Sequence, residues 1–127
     1  MAYPTGSGSE VLYRGTINAQ SNTATSFRWD KTNPTTGTST YVVPALHIIT
    51  VISIVFGEVG SVAETIDLYA HDGTNNIQLL KGQALGSAET FVWNDKIVLV
   101  GGDKLIVNCA SAANVDVYYT FIDQDWT

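Results

Sequence analysis

The side chains that could carry chemistry in this 127-residue sequence are few and widely spaced. A metal site needs His, Cys or carboxylate ligands at short spacing, and no two of His47, His71 and Cys109 stand two to four residues apart. Asp72 follows His71 directly, but neighbours in an extended strand point to opposite faces, so these two residues do not form a proton relay. The sequence therefore predicts no metal ion and no cofactor.

Catalysis is not indicated either. Asp123 and Asp125 could supply the acid and base of a glycosidase, but no second acid cluster accompanies them, and we interpret them as part of a solvated C-terminal tail. The chain has no G-x-S-x-G nucleophile motif. The single Cys109 has an apolar-phase position in a predicted strand, which is typical of a buried structural thiol. We predict no catalytic residues and no enzymatic activity.

Three tryptophans offer a different kind of chemistry, the stacking of sugar rings. Trp29, Trp93 and Trp126 could form a carbohydrate-binding platform if they shared one exposed face. Trp93 alternates with Phe91, however, which is the pattern of a core-facing strand. We favour rings that fill the core or an intersubunit contact, and carbohydrate binding stays as the alternative.

The elements that must position these residues are strands. Short apolar runs bounded by Gly, Asn, Asp, Ser and Thr predict many antiparallel strands, and several runs alternate with period two. Asp-Gly at residues 72–73 and Gly-Gly-Asp at 101–103 fit hairpin turns. The predicted strands are 11–18, 24–29, 41–43, 47–56, 64–71, 77–81, 89–93, 96–100, 104–110 and 115–122. The fold class is all-β, a single antiparallel β-sandwich of jelly-roll type with about 8–10 strands at residues 11–127, after a flexible N-terminal arm at residues 1–10.

One predicted strand, residues 47–56, is apolar on both faces. Strict alternation places Ile48, Ile52, Ile54 and Phe56 on one face and Ile49, Val51 and Val55 on the other. Such a strand is either covered by the polar segment 31–40 or contributes to a subunit interface. The candidate oligomer or capsid interface residues are Tyr3, Tyr13, Ile49, Val51, Val55 and Trp126.

The charge balance excludes some partners. Twelve acids against six bases give a net charge of −6, and the bases form no run, which disfavours nucleic acid and a polybasic membrane contact. The longest apolar stretch, residues 42–56, is interrupted by Pro44 and His47 and is shorter than the ~20 residues of a spanning helix. The first ten residues lack the pattern of a secretory signal, so we expect folding in a cytoplasm.

The C-terminal half also carries a resemblance. Residues 79–123, LLKGQALGSAETFVWNDKIVLVGGDKLIVNCASAANVDVYYTFID, with the preceding YVVPALHIITVISIVF at 41–56, resemble small β-sandwich structural proteins in the virions of tailed bacteriophages. The shared motifs are turn and core patterns without catalytic residues.

The resemblance implies a capsid decoration or cement protein. Such a protein is made in the host cytoplasm, binds the major capsid protein on the outer surface of the assembled capsid as a homotrimer, and stabilises the shell. The segment 31–40 departs from the simplest decoration proteins, and the resemblance gives it no role. The alternative within the same group is a tail, neck or fibre component that binds carbohydrate at the host surface.

Overall fold

The computed structural model describes residues 8–29, 41–110 and 114–127, apart from the side chain of Ala19. These ranges contain nine β-strands and no helix. The strands are β1 (Ser9–Gln20), β2 (Thr25–Ser26), β3 (His47–Glu58), β4 (Glu64–His71), β5 (Asn76–Leu85), β6 (Thr90–Trp93), β7 (Ile97–Val100), β8 (Lys104–Cys109) and β9 (Val115–Asp125).

The strands form two antiparallel sheets that pack face to face. Sheet A has the order β1-β9-β3, and both β6 and β7 pair with the other side of β3. Sheet B has the order β2-β8-β4-β5. If β6 and β7 are counted as one interrupted strand, this is the strand order of a jelly roll, in which the chain crosses repeatedly between two sheets. The predicted all-β, single-domain sandwich is therefore confirmed.

The core lies between the sheets and is centred on aromatic rings. Phe27, Trp29, Tyr119 and Phe121 are buried, and five of their ring pairs have centroids 4.6 to 6.2 Å apart. These separations are favourable for aromatic pairs, which contribute beyond the burial of their area. The period-two alternation of β4, β8 and β9 places the remaining aliphatic core residues around this cluster.

Tyr119 fixes sheet A to the edge of sheet B. Its hydroxyl donates a hydrogen bond to the carbonyl oxygen of Arg28 (2.9 Å) and accepts one from the N–H of Arg28 (3.0 Å). The ring passes directly over Gly15 of β1, where an added Cβ would lie 2.2 Å from the ring carbon Cζ. Only glycine leaves room for this ring, so the position of Tyr119 depends on the residue type at Gly15.

Two of the predicted strands need correction. Residues 41–43 form no strand, because Val43 is held instead by the hairpin after β7: its N–H donates to the carbonyl of Asp103, and its carbonyl accepts from Gly102. The strand predicted at 24–29 is reduced to β2, although Phe27 still donates to the carbonyl of Leu105. β1 begins at Ser9, inside the predicted arm, and residues 1–7 lie outside the described residues.

A β-bulge in β3 corrects the predicted faces of that strand. The register with β9 shifts between Val51 and Ser53, so Ile52 is an extra residue and the alternation changes phase there. Ile49 and Val51 before the bulge point into the core, and so do Ile54 and Phe56 after it. The assignment of Ile54 and Phe56 to the face of Ile48 was wrong, because strict alternation has no place for an inserted residue.

Candidate interaction surfaces

The side of sheet A that is turned away from sheet B carries apolar side chains among polar and charged ones. We use the name outer face for its apolar residues and the threonines between them: Leu12, Thr16, Ile48, Thr50, Val55, Val92, Val98, Val100, Tyr118, Thr120 and Ile122. The same side also carries Glu10, Arg14, Ser53, Asp116 and Gln124. Its most exposed apolar members are Leu12 (64%), Val98 (57%), Val92 (49%) and Tyr118 (49%). Exposed apolar residues that adjoin in this way mark a contact surface more often than isolated ones do.

The strand registers arrange these residues in rows across the sheet. Val55 stands between Val92 and Tyr118. Thr50 stands between Val98 and Ile122, whose own partner on β1 is Leu12. The first row is thus apolar across three strands, whereas in the second row Thr50 separates Val98 from the neighbouring pair Ile122 and Leu12.

A shallow depression of about 410 Å³ lies at one end of the outer face. It is lined by Thr16, Ile17, Asn18, Val55, Gly57, Asp116, Val117 and Tyr118. Gly57 opens it, because a Cβ added there would meet no atom within 4 Å. In the described strands, charged side chains on this side of sheet A occur on β1 (Glu10, Arg14) and at the start of β9 (Asp116), so the centre of the face is uncharged.

The candidate interface residues do not come together on this surface. Val55 lies on the outer face, whereas Ile49 and Val51 have no exposed surface and belong to the core. Tyr13 also points inward and stacks on Phe121, with ring centroids 5.6 Å apart. Ile49 and Val51 are therefore corrected to core residues, because the bulge at Ile52 turns them away from Val55. Tyr3 lies outside the described residues.

Trp126, the last candidate, lies where β9 ends beside β3. The backbone N–H of Trp126 donates a hydrogen bond to the backbone carbonyl of Leu46 (3.0 Å). Leu46 itself has a left-handed backbone conformation, with φ 62°. The ring of Trp126 packs against Gly8. Trp126 is half-buried and is held by the chain's own strand ends.

The outer face could have been found from the sequence by one signal. Val98 belongs to the run Ile97, Val98, Leu99, Val100, which is apolar in both phases of a strand. Such a run predicts apolar residues on both sides of a sheet. The prediction of an interface rested on the run 47–56 alone, and Tyr118 gave no signal because it alternates with apolar residues on a normal two-faced strand.

His47 forms a buried cluster with two acids. Its Nδ1 lies 2.8 Å from Oδ1 of Asp123, and its Nε2 lies 3.4 Å from Oδ1 of Asp125. Asp123 is only 3% exposed, so its interpretation as part of a solvated tail was wrong. The contacts join β3 to the end of β9, where Oδ1 of Asp125 also accepts hydrogen bonds from the backbone N–H and the hydroxyl of Thr127.

Glu58 organises the two loops that follow β3 and β5. Its carboxylate accepts hydrogen bonds from the N–H groups of Gly60 (2.6 Å), Val62 (3.1 Å) and Ala88 (3.1 Å). Burial alone would raise the pKa of Glu58, but these bonds to the charged form outweigh it and hold the pKa below its usual value. The carboxylate therefore stabilises the loops in its ionised state.

Cys109 is a free, buried cysteine. Burial, together with the nearby charges of Glu64 and Asp67, raises the pKa of the Cys109 thiol to about 12. The thiol is buried, as the sequence predicts, and at neutral pH it is not a nucleophile. Within the described residues no three His, Cys, Asp or Glu side chains are grouped to hold a metal ion, and no helix suited to crossing a membrane occurs.

The tryptophans do not share an exposed face. Trp29 is 2% exposed and lies in the core. Trp93 pairs with Ile54 in the middle of β3, and its indole N–H donates to the carbonyl of Asp95 (2.7 Å). Trp126 lies beyond the other end of β3, about 20 Å away at the ~3.3 Å rise of a strand residue. The proposed three-ring platform is therefore not formed.

A polar groove runs between the edges of the two sheets, beside β1 and β2. It has a volume of about 250 Å³ and is lined by Thr16, Ile17, Asn18, Gln20, Ser21, Thr25, Ser26 and Arg28. Gln20 is buried, and although its Nε2 donates to two carbonyls, its Oε1 has no hydrogen-bond partner. The guanidinium of Arg28 lies 5.6 Å from the centre of the half-exposed Tyr41 ring. These are hydrogen-bonding and stacking groups of the kind that bind small polar ligands.

No family model and no curated protein sequence matches this chain. Among solved structures, a chain in the acidic stable capsid structure of Helicobacter pylori bacteriophage KHP30 matches with a TM-score of 0.50 and 8% identity, over 93% of this chain and 89% of that chain. A chain in the structure of infectious bursal disease virus Gx strain matches with a TM-score of 0.43 and 11% identity, over 92% of this chain and 38% of that chain. Eiger TNF from S. frugiperda matches with a TM-score of 0.37 and 13% identity, over 98% of this chain and 89% of that chain. At these identities the likeness is one of fold, and the KHP30 chain supports the all-β sandwich.

Proposed function

We propose that this protein is a structural component of a virus particle, a decoration or cement protein that binds the outside of an assembled capsid and stabilises it. The observation that carries the proposal is the outer face of sheet A. Leu12, Val92, Val98 and Tyr118 are exposed on this one side of sheet A, and exposed apolar residues on a common surface are typical of a contact site. Its partners in this account are the major capsid protein and further copies of this chain in a homotrimer.

Two further observations support a virion role. The sequence resembles small virion sandwiches over residues 41–56 and 79–123, and the fold is like that of a chain in a phage capsid structure. Jelly rolls also serve in lectins, so the fold alone does not choose between these functions. The uncharged centre of the outer face favours contact with protein, and the net charge of −6 disfavours contact with the packaged nucleic acid.

The proposed mechanism is binding without catalysis. A protein that binds the assembled lattice but not the free subunits lowers the free energy of the assembled state at every occupied site. The outer face suits this role because its strands are held in a sandwich with a buried hydrophobic core, so little ordering is needed on docking. The stabilising free energies of many weak binding sites then add up across the shell.

The test compares two valines of nearly equal exposure. Val98 lies on the outer face (57% exposed), and Val59 lies in the loop after β3 (58% exposed). We expect Val98→Asp to weaken binding to capsid shells that lack this protein by about tenfold or more, because a carboxylate is then desolvated in the contact. Val59→Asp should bind like the wild type. Co-sedimentation with the shells measures both, and equal binding by the two variants would contradict the proposal.

The second candidate is a tail, neck or fibre component that binds carbohydrate, and the polar groove favours it. The hydroxyl groups of Thr16, Thr25 and Ser26 in the groove can form hydrogen bonds with a sugar, and the ring of Tyr41 offers a stacking surface in the adjoining depression that Thr25 and Ser26 also line. A glycan array decides this question. Glycan binding by the wild type that is lost in Tyr41→Ala but kept in Val98→Asp would favour the second candidate over the first.

A further inference from the structure

The edges of the two sheets differ in how they are protected. In the described residues β2 has two residues and β6 and β7 have four each, which is too short to template another strand. β5 is longer, but its register with β4 shifts twice, Gly82 in it has φ +61°, and Lys81 lies on it. Short strands, bulges and lysines are the usual devices that prevent edge-to-edge pairing.

β1 is long and regular over most of its length, and the protective features it carries there are the charged side chains of Glu10 and Arg14. It has twelve residues, and its pairing with β9 is regular from Ser9 to Ile17. No lysine or proline occurs in β1. Val11 is 45% exposed and Leu12 is 64% exposed, although neighbouring residues point to opposite sides of the sheet. As far as residues 8–29, 41–110 and 114–127 are concerned, the first half of β1 is therefore open on both sides and along its edge.

The residues on the outer side of β1 have a symmetric charge pattern. Glu10, Leu12 and Arg14 stand opposite Gln124, Ile122 and Thr120 of β9. Those β9 residues alternate with the buried Phe121 and Asp123, so they point outward and so do their partners on β1. An acid and a base thus flank an exposed leucine at equal distance along one side of the strand.

We propose that β1 pairs antiparallel with β1 of a second copy of this chain about a two-fold axis at Leu12. In this register Glu10 of each copy faces Arg14 of the other, and the two Leu12 side chains face each other. On the inner side Val11 then faces Tyr13. Opposite charges directly across an antiparallel pair stabilise it, whereas registers centred on Glu10 or on Arg14 place like charges opposite each other. The charge pattern therefore selects both the partner and the register.

The contact joins the two copies of sheet A into one continuous sheet, and their outer faces adjoin. It is a two-fold contact, so it is separate from any three-fold contact within a trimer. The inference does not rest on the capsid role, because it concerns the isolated chain. Each cross-strand pair is weak by itself, so we expect association at high protein concentration or where copies are held close together.

Cysteine cross-linking tests the register directly. The two Leu12 positions would have Cα atoms within the 4.4–6.8 Å that a disulfide requires, as in both kinds of antiparallel pair. Under mild oxidation we expect Leu12→Cys to form a covalent dimer at least about tenfold faster than Val98→Cys, whose position is similarly exposed but lies on β7. The wild type, whose one cysteine is the buried Cys109, shows how much cross-linking occurs without an introduced cysteine. Equal rates for the two variants would overturn the proposal.

Charge exchange tests the pairing of Glu10 with Arg14. In the Leu12→Cys background, Glu10→Arg and Arg14→Glu should each slow cross-linking about fivefold, because each places two like-charged pairs in the contact. The double variant restores opposite charges and should return to within about twofold of the parent. Failure of the double variant to recover, with circular dichroism unchanged, would contradict the register. Because no shells are present, this result is independent of the Val98→Asp binding test.

Discussion

Single residues in this protein mainly fix loops and strand ends. The sequence predicts the burial of Cys109 correctly because the signal is local, an apolar phase in an alternating strand. It does not predict the burial of Asp123, because the partner that makes burial possible, His47, is 76 residues away in the sequence. Polar residues are buried when they find a partner, and a single sequence does not show distant partners.

Glu58 gives a prediction at this scale. Its pKa is lower in the folded state than the usual value of about 4.3, so its contribution to the free energy of unfolding is present above that value and is lost as the pH falls through the folded pKa. Between about pH 5 and pH 3 we expect the unfolding free energy of Glu58→Gln to fall less steeply than that of the wild type. Urea unfolding at several pH values measures the slopes.

The exposed Glu89 provides the control for this experiment. Glu89→Gln removes a carboxylate from the neighbouring loop without removing the bonds to Gly60, Val62 and Ala88. Its slope should match that of the wild type. If Glu58→Gln also kept the wild-type slope, the carboxylate of Glu58 would not stabilise the loops through its charge.

At the scale of elements, the sequence predicts which strands exist but not how they are offset. Every predicted strand except 41–43 has a counterpart, since turn residues and alternation mark both ends of a strand. The bulge at Ile52 was missed because the run Ile48 to Phe56 is apolar in both phases, and alternation therefore gives no register there. That one inserted residue decides that Ile49 and Val51 lie inside and Val55 outside.

Two glycines test the packing of sheet A, one on β1 and one on β3, the two strands that flank β9. Gly15→Ala on β1 would drive a methyl group into the ring of Tyr119, and we expect a loss of about 2 kcal/mol or more of unfolding free energy. Gly57→Ala on β3 would place its methyl group in open space and should change stability by less than about 0.5 kcal/mol. Chemical denaturation of both variants checks this, and similar losses in the two would show that Tyr119 does not require the glycine at position 15.

At the scale of the whole molecule, the jelly roll could be predicted because many short strands in a chain of this length have few ways to bury their apolar faces. The interaction surface could be predicted only in part. The sequence indicates that β3 is apolar on both sides, but the outer face is assembled from five strands that are distant in the chain. Which residues share that face follows from strand order and register, and neither is a local property.

The central claim is that the outer face of sheet A is a contact surface in a virus particle. Cryo-electron microscopy of the intact particle tests it most directly. The account predicts density for the sandwich on the outside of the shell, with Val55, Val92 and Val98 buried against a capsid subunit or another copy of this chain. A location in the neck, tail or fibre, or a shell-bound sandwich whose outer face is open to solvent, would contradict it.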